Sequence, residues 1–145
     1  MSSGFSAGRY SHLRRGCANR GLRLTPQRDV LLRALSEASG HPTADDMVQR
    51  VRAVLPTVSH ATVYRNLQEL VREGLIRTLE VAGTAVQFEV NPDDHHHFVC
   101  RRCGRIWDVY LSRLDVRVNR RRTELAGFQV DHRDVQLHGV CARCR

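Results

Sequence analysis

The chain has no lysine, a single tryptophan and only four prolines, and aromatic residues fill 6% of its 145 positions. With lysine absent, arginine carries all 23 basic charges, against 15 acids. Long apolar runs are absent too. A helix needs ~20 apolar residues to cross a bilayer, so a membrane span is excluded. The N-terminal residues lack the apolar core of a secretory signal. These absences predict a cytoplasmic protein, where thiols stay reduced. Its five cysteines then read as metal ligands or redox groups rather than disulfides. No H-E-x-x-H helix occurs, nor the H-x-E with P-C-x-x-C of nucleobase deaminases. A zinc-dependent hydrolase stays in view only as a low-ranked alternative. No internal repeat is visible.

A chain of 145 residues makes one or two small domains. Two half-size domains would each have a marginal core and need a staple. The net charge is +8, with 12 Arg against 8 acids in residues 1–92 and 11 against 7 in residues 93–145. An even excess of arginine points to an anionic partner, nucleic acid first, because guanidinium forks onto phosphate and guanine.

Residues 1–8 are small and polar and are expected to fray. A short helix is predicted over residues 9–20, ending near Gly21. Thr25-Pro26 is an N-cap followed by proline at the first helical position. Val30, Leu31, Ala34 and Leu35 share a face of that helix, and Gly40 ends it. Thr43 and Asp46 form a capping box with Asp in place of Glu. Met47, Val48, Val51, Val54 and Leu55 follow at helical spacing until Pro56. Ser59 caps a further helix with Val63, Leu67, Leu70 and Val71 as its stripe, closed by Gly74. Leu75–Val81 and Ala85–Val90 alternate around Gly83 and read as a β-hairpin. Three helices and a hairpin are the order of a winged helix-turn-helix. Strands are expected at His97–Cys100, Ile106–Tyr110, Phe128–Val130 and Val135–Val140, with a helix over Leu111–Leu125. The fold class is α+β. Residues 1–90 form a winged-helix DNA-binding domain, 91–94 (Asn-Pro-Asp-Asp) a hinge, and 95–145 a second, small α/β domain.

Cys100-Arg-Arg-Cys103 and Cys141-Ala-Arg-Cys144 are two C-x-x-C pairs separated by 37 residues. Two intervening residues let both sulfurs of a pair reach one ion from a turn. Four thiolates close a tetrahedral Zn²⁺ site with no open position, so the site is structural. An iron–sulfur cluster or two redox dithiols are the rivals. Cys17 stands alone and reads as a buried or incidental thiol.

Asp93-Asp94-His95-His96-His97 directly precedes the first pair. On a strand His95 and His97 converge while His96 points away. With His41, Glu89 and Asp108 they supply three imidazoles and two carboxylates, a donor set for Fe²⁺, Mn²⁺ or Zn²⁺. Opposite the apolar stripe of the helix after Ser59 lie Ala61, Thr62, Arg65 and Gln68, with His60, Tyr64 and Asn66 on the flanks. Arginine suits guanine, the amides suit adenine, and the hydroxyls of Ser59 and Thr62 suit phosphate.

These residues resemble the ferric-uptake regulator family of bacterial metalloregulators. The matching pieces are Leu24-Thr-Pro-Gln-Arg28, His41-Pro-Thr-Ala-Asp-Asp46, Ala61-Thr-Val-Tyr-Arg-Asn-Leu67, Asp94-His-His-His-Phe-Val-Cys100 with Cys103-Gly104, and His138-Gly-Val-Cys141. The resemblance implies a winged helix hinged to a dimerisation domain, working as a homodimer on palindromic double-stranded DNA. It assigns the four cysteines to structural zinc. His41, Glu89, His95, His97 and Asp108 become the regulatory Fe²⁺ or Mn²⁺ site, which Zn²⁺ can also fill in vitro. Asp94, His96, Asp115 and His132 match an additional metal site of some members. Tyr64 matches a residue near the bases, beside Arg65. Metal binding across the hinge would set the two recognition helices ~34 Å apart, one turn of DNA, and its loss would free the domains.

The family includes iron, peroxide, zinc, manganese and nickel sensors. Zinc sensors usually carry a regulatory cysteine near position 89, where this chain has glutamate. Asp108 and the segments His41–Asp46 and His138–Cys141 are similar to the peroxide-sensing branch, which is favoured. Glu89 is more similar to the iron-uptake repressors, which remain the alternative. The peroxide reading implies that bound Fe²⁺ meets H₂O₂ and that His41 or His95 is oxidised.

Overall fold

In the computed structural model, residues 3–113, 127–129 and 133–145 are described. The chain divides into two compact units, Met1–Pro92 and Asp93–Arg145. None of the described helices is long and apolar enough to cross a membrane.

The first unit holds four helices, α1 (Ser3–Asn19), α2 (Pro26–Glu37), α3 (Ala44–Arg52) and α4 (His60–Arg72), then a two-stranded sheet of β1 (Arg77–Leu79) and β2 (Gln87–Glu89). Local chemistry sets the helix starts. Thr25, Thr43 and Ser59 are extended N-caps whose side chains accept from the N–H three residues on. Thr43 and Asp46 close the reciprocal capping box. At the end of α4, Gly74 (φ 67°) donates to Val71 O and Leu75 donates to Leu70 O. This is a Schellman closure, which needs the left-handed conformation glycine adopts freely. It returns Leu75 to the core.

Leu31, Leu32, Leu35, Met47, Leu67 and Leu70 are almost wholly buried and knit α2, α3 and α4 together. Leu13 and Cys17 seat α1 on the same core, where Cys17 is a packed thiol. Gly16 lets α1 come close, since a Cβ there would lie 2.3 Å from a Leu75 methyl. A polar tie reinforces the contact. The Tyr10 hydroxyl donates to Asp29, and Arg33 donates to the other Asp29 oxygen at 3.1 Å.

Several boundaries differ from expectation. Helix α1 starts at Ser3, not near residue 9. Once Leu13 and Cys17 anchor it, adding turns costs little, because nucleation is the expensive step. Helix α3 stops at Arg52, well before Pro56, and Val54 is 63% exposed. Proline disfavours the helical conformation at the residue before it, so the chain leaves the helix early. The hairpin ladder is only three residues deep, pairing Arg77 with Glu89, Thr78 with Phe88 and Leu79 with Gln87. Ala85 and Val86 alternate in sequence, but both are exposed and nothing buries them as strand.

The second unit is a three-stranded sheet ordered β4-β3-β5, from β3 (His96–Cys100), β4 (Ile106–Val109) and β5 (Gln136–Gly139). Central β3 runs antiparallel to β4 and parallel to β5. Phe128 and Gln129 are not in a strand, and residues 111–113 are not helical. The rest of the expected helix over Leu111–Leu125, and Val130, lie outside the described residues.

Candidate metal centres and DNA-reading face

The parallel register brings the cysteines together. Cys100 pairs with Gly139, so β3 and β5 end side by side and each leads into a C-x-x-C turn. Gly104 N–H donates to Cys100 O, and Cys144 N–H donates to Cys141 O, both at 2.9 Å. The sulfurs of Cys100, Cys103, Cys141 and Cys144 all lie within 4.8 Å of one another. Those of Cys103 and Cys141 are 3.9 Å apart. Corners of a tetrahedron with Zn–S near 2.3 Å stand roughly 3.8 Å apart, so the set fits zinc. The backbone prepares it for ionisation. Cys141 N–H donates to the Cys100 sulfur at 3.4 Å and holds that thiol down to about 6. Hydrogen bonding to the Cys141 and Cys103 sulfurs pushes Cys144 up to about 12.

The nitrogen and oxygen donors form two halves. In the first unit, Phe88 N–H donates to Pro42 O at 2.8 Å, and Thr43 bridges to Gln87. This lays the segment before α3 along β2 and sets His41 beside Glu89. Their Nε2 and Oε2 atoms are 2.7 Å apart, with both side chains at least 95% buried. The other Glu89 oxygen accepts from Asn91 N–H at 2.5 Å. A buried carboxylate held at both oxygens is preorganised for a cation.

In the second unit, His95 and His97 have ring centroids 4.9 Å apart at 74°. Each ring has its Nδ1 engaged. His95 Nδ1 lies 2.7 Å from Asp93 O, and a carbonyl only accepts, so Nδ1 carries the proton. In the neutral ring, the lone pair that can ligate then sits on His95 Nε2, which lies 3.7 Å from Asp108 Oδ1. His97 Nδ1 lies 3.1 Å from Asp134 Oδ1. Oriented imidazoles beside a carboxylate fit Fe²⁺, Mn²⁺ or Zn²⁺. Of the expected additional site, Asp94 is exposed. His96 is buried, and its Nδ1 has no hydrogen-bond partner among the described residues. Asp115 and His132 lie outside the described residues.

On α4, Ala61, Tyr64, Arg65 and Gln68 are exposed, and Tyr64 is 47% open. His60 is exposed and pairs with Asp45 at 3.0 Å. Ser59 and Thr62 use their hydroxyls within the helix cap, 2.8 Å apart. Asn66 departs from expectation. Its Oδ1 accepts from Arg28 Nε at 3.0 Å and its Nδ2 donates to Thr62 O at 2.8 Å, so its amide is committed within the unit. The cause is Arg28, 8% exposed, which needs acceptors on every side. It also donates to Glu69 and, at 2.6 Å, to Arg23 O. Arg28 and Glu69 therefore hold α4 against α2, a role that sequence reasoning missed. Asp134 was missed as well. No local signal marks either pair, because the partners are 41 and 37 residues apart.

Residues 19–138 match the model of the ferric uptake regulator family. The chain is 36% identical to the peroxide operon regulator of Bacillus subtilis (strain 168) over 124 residues, 86% of this chain and 85% of that one. Among solved structures, the Campylobacter jejuni peroxide stress regulator superposes with a TM-score of 0.66 at 29% identity, covering 88% of this chain and 95% of that one. A zinc uptake regulator complexed with zinc and DNA superposes with a TM-score of 0.67 at 28% identity, covering 96% and 94%.

Proposed function

The chain belongs to the ferric uptake regulator family, and on that premise we propose that it is a cytoplasmic, metal-dependent repressor released from DNA by peroxide. It is a transcription regulator and not an enzyme. It acts on double-stranded operator DNA as a homodimer, with structural zinc and a second, regulatory metal. In this reading residues 1–90 bind DNA, 91–94 are the hinge, and 95–145 dimerise and sense. Arg65, Tyr64 and Ala61 face the bases, with His60, Ser59 and Thr62 beside the backbone.

The observation that carries metal control is the state of the two imidazoles in β3 and just before it. His95 gives its Nδ1 proton to a backbone carbonyl and keeps Nε2 towards Asp108. Such a ring is a ligand already in its binding tautomer. His41 and Glu89 supply the other half, and the five donors close on one Fe²⁺ or Mn²⁺ only in one domain arrangement. Fe²⁺ held by these residues would activate the peroxide, lending electrons that it regains as the ring is oxidised. Overall, H₂O₂ would be the two-electron oxidant: one of its oxygens would enter a carbon–hydrogen bond of the His41 or His95 ring, and the other would leave as water. An oxidised ring loses its affinity for metal, and the DNA-binding arrangement is lost.

The test is direct. Fe²⁺-loaded protein is treated with stoichiometric H₂O₂ and digested for peptide mass spectrometry. One added oxygen on the His41 or His95 peptide, with loss of operator binding, is expected. Neither histidine oxidised, with DNA binding retained, would leave an iron-responsive repressor, the reading that Glu89 favours.

A further inference from the structure

His97 stands in β3 opposite Gln136 of the parallel strand β5, and its N–H donates to Val135 O at 3.1 Å. This ladder bond carries the residue before Val135 alongside the His97 ring. That residue is Asp134, whose Oδ1 is 3.1 Å from His97 Nδ1. The ring is 7% exposed and the carboxylate 34%. An ionised carboxylate accepts and cannot donate, so the shared proton sits on Nδ1 and the lone pair on Nε2. His95 receives the same service from the Asp93 carbonyl two residues away. For His97 the acceptor comes from a segment 37 residues further along the chain.

We infer that Asp134 is a positioning residue for the regulatory metal, fixing His97 in the tautomer and orientation that present Nε2. The inference rests on the reading of His97 as a ligand. It ties the ligand to β5, the strand that ends in the Cys141–Cys144 turn. Zinc capture and readiness for the regulatory metal are thereby linked through one strand.

The test uses full-length protein with its structural zinc, comparing wild type with Asp134→Ala and Asp134→Asn. Zinc content is measured first. Long-range ¹H–¹⁵N correlation spectra then report which His97 nitrogen carries the proton before regulatory metal is added, and Mn²⁺ titration gives the affinity. Wild type should be protonated at Nδ1. Asp134→Ala should lose that preference and bind Mn²⁺ about 10- to 100-fold more weakly, with zinc retained. Asp134→Asn keeps an acceptor and should recover most of the affinity. Unchanged tautomer and affinity in the Ala variant would overturn the inference, as would an Asn variant no better than Ala. The wild-type spectrum decides the matter if the Ala variant loses zinc, since a ring protonated at Nε2 overturns it. Wild type that binds no Mn²⁺ would instead sink the regulatory-site reading, a distinguishable result.

Discussion

Arg65 makes no ion pair among the described residues and lies on the exposed face of α4. On the proposed function, removing its guanidinium should cost operator affinity while leaving the fold alone. Arg65→Ala is expected to weaken operator binding by about 1–3 kcal/mol, with an unchanged unfolding transition. Fluorescence anisotropy over a salt series measures it. If the loss is uniform across sequences and the salt slope falls, Arg65 touches phosphate rather than a base. Arg28 is the contrasting residue. Buried and bonded to Asn66, Glu69 and Arg23, it is structural although it is equally basic. Sequence could not separate the two arginines, because burial and partners 41 residues apart are tertiary facts. The candidate metal ligands were more legible. Cys100 and Cys103, or His95 and His97, announce themselves by short spacing of rare donors. Asn66 misled for the opposite reason: an amide on a helix flank says nothing about an arginine beneath it.

Element boundaries were legible wherever both partners lie within one turn. The Thr43–Asp46 box could be read directly because its geometry is three residues long. It also makes a pH-dependent contribution. Thr43 donates both its N–H and its hydroxyl to Asp46, each at 2.8 Å, and these bonds hold the carboxyl below its usual range. A lowered carboxylate value means that the stabilisation is complete at neutral pH. It begins to fade below about pH 3.9, the unfolded value, and is lost as pH falls through the folded one. Asp29 behaves alike, since the Tyr10 hydroxyl donates to it. Thr43→Ala should cost about 1 kcal/mol near neutral pH, and less in acid. Urea unfolding at both pH values measures this, and an equal loss at both would contradict it. Such local devices set where helices start. They could not show that the β1–β2 ladder is three residues deep, because that depends on what buries each side chain.

Across the whole molecule, the positive charge is shared equally between units of very different build. The first has a continuous apolar core from α1 to β2. The second has a small sheet closed at one end by four sulfurs. Zinc binding to such sets contributes about 10–16 kcal/mol in small peptides, as large as a small domain's whole net stability of about 5–15 kcal/mol. Cys144→Ser, or a strong chelator, should therefore unfold the second unit and leave the helices of the first. Limited proteolysis with zinc analysis checks this, and a protease-resistant second unit without zinc would refute it. The parallel pairing of β3 with β5 also sets an order in time. Helices and a tight hairpin close over short loops, whereas β3 must wait for a strand 36 or more residues later in synthesis. Non-local parallel pairing is slow. On the proposed function, the nascent chain thus acquires its surface for DNA before it acquires the means to be told to let go.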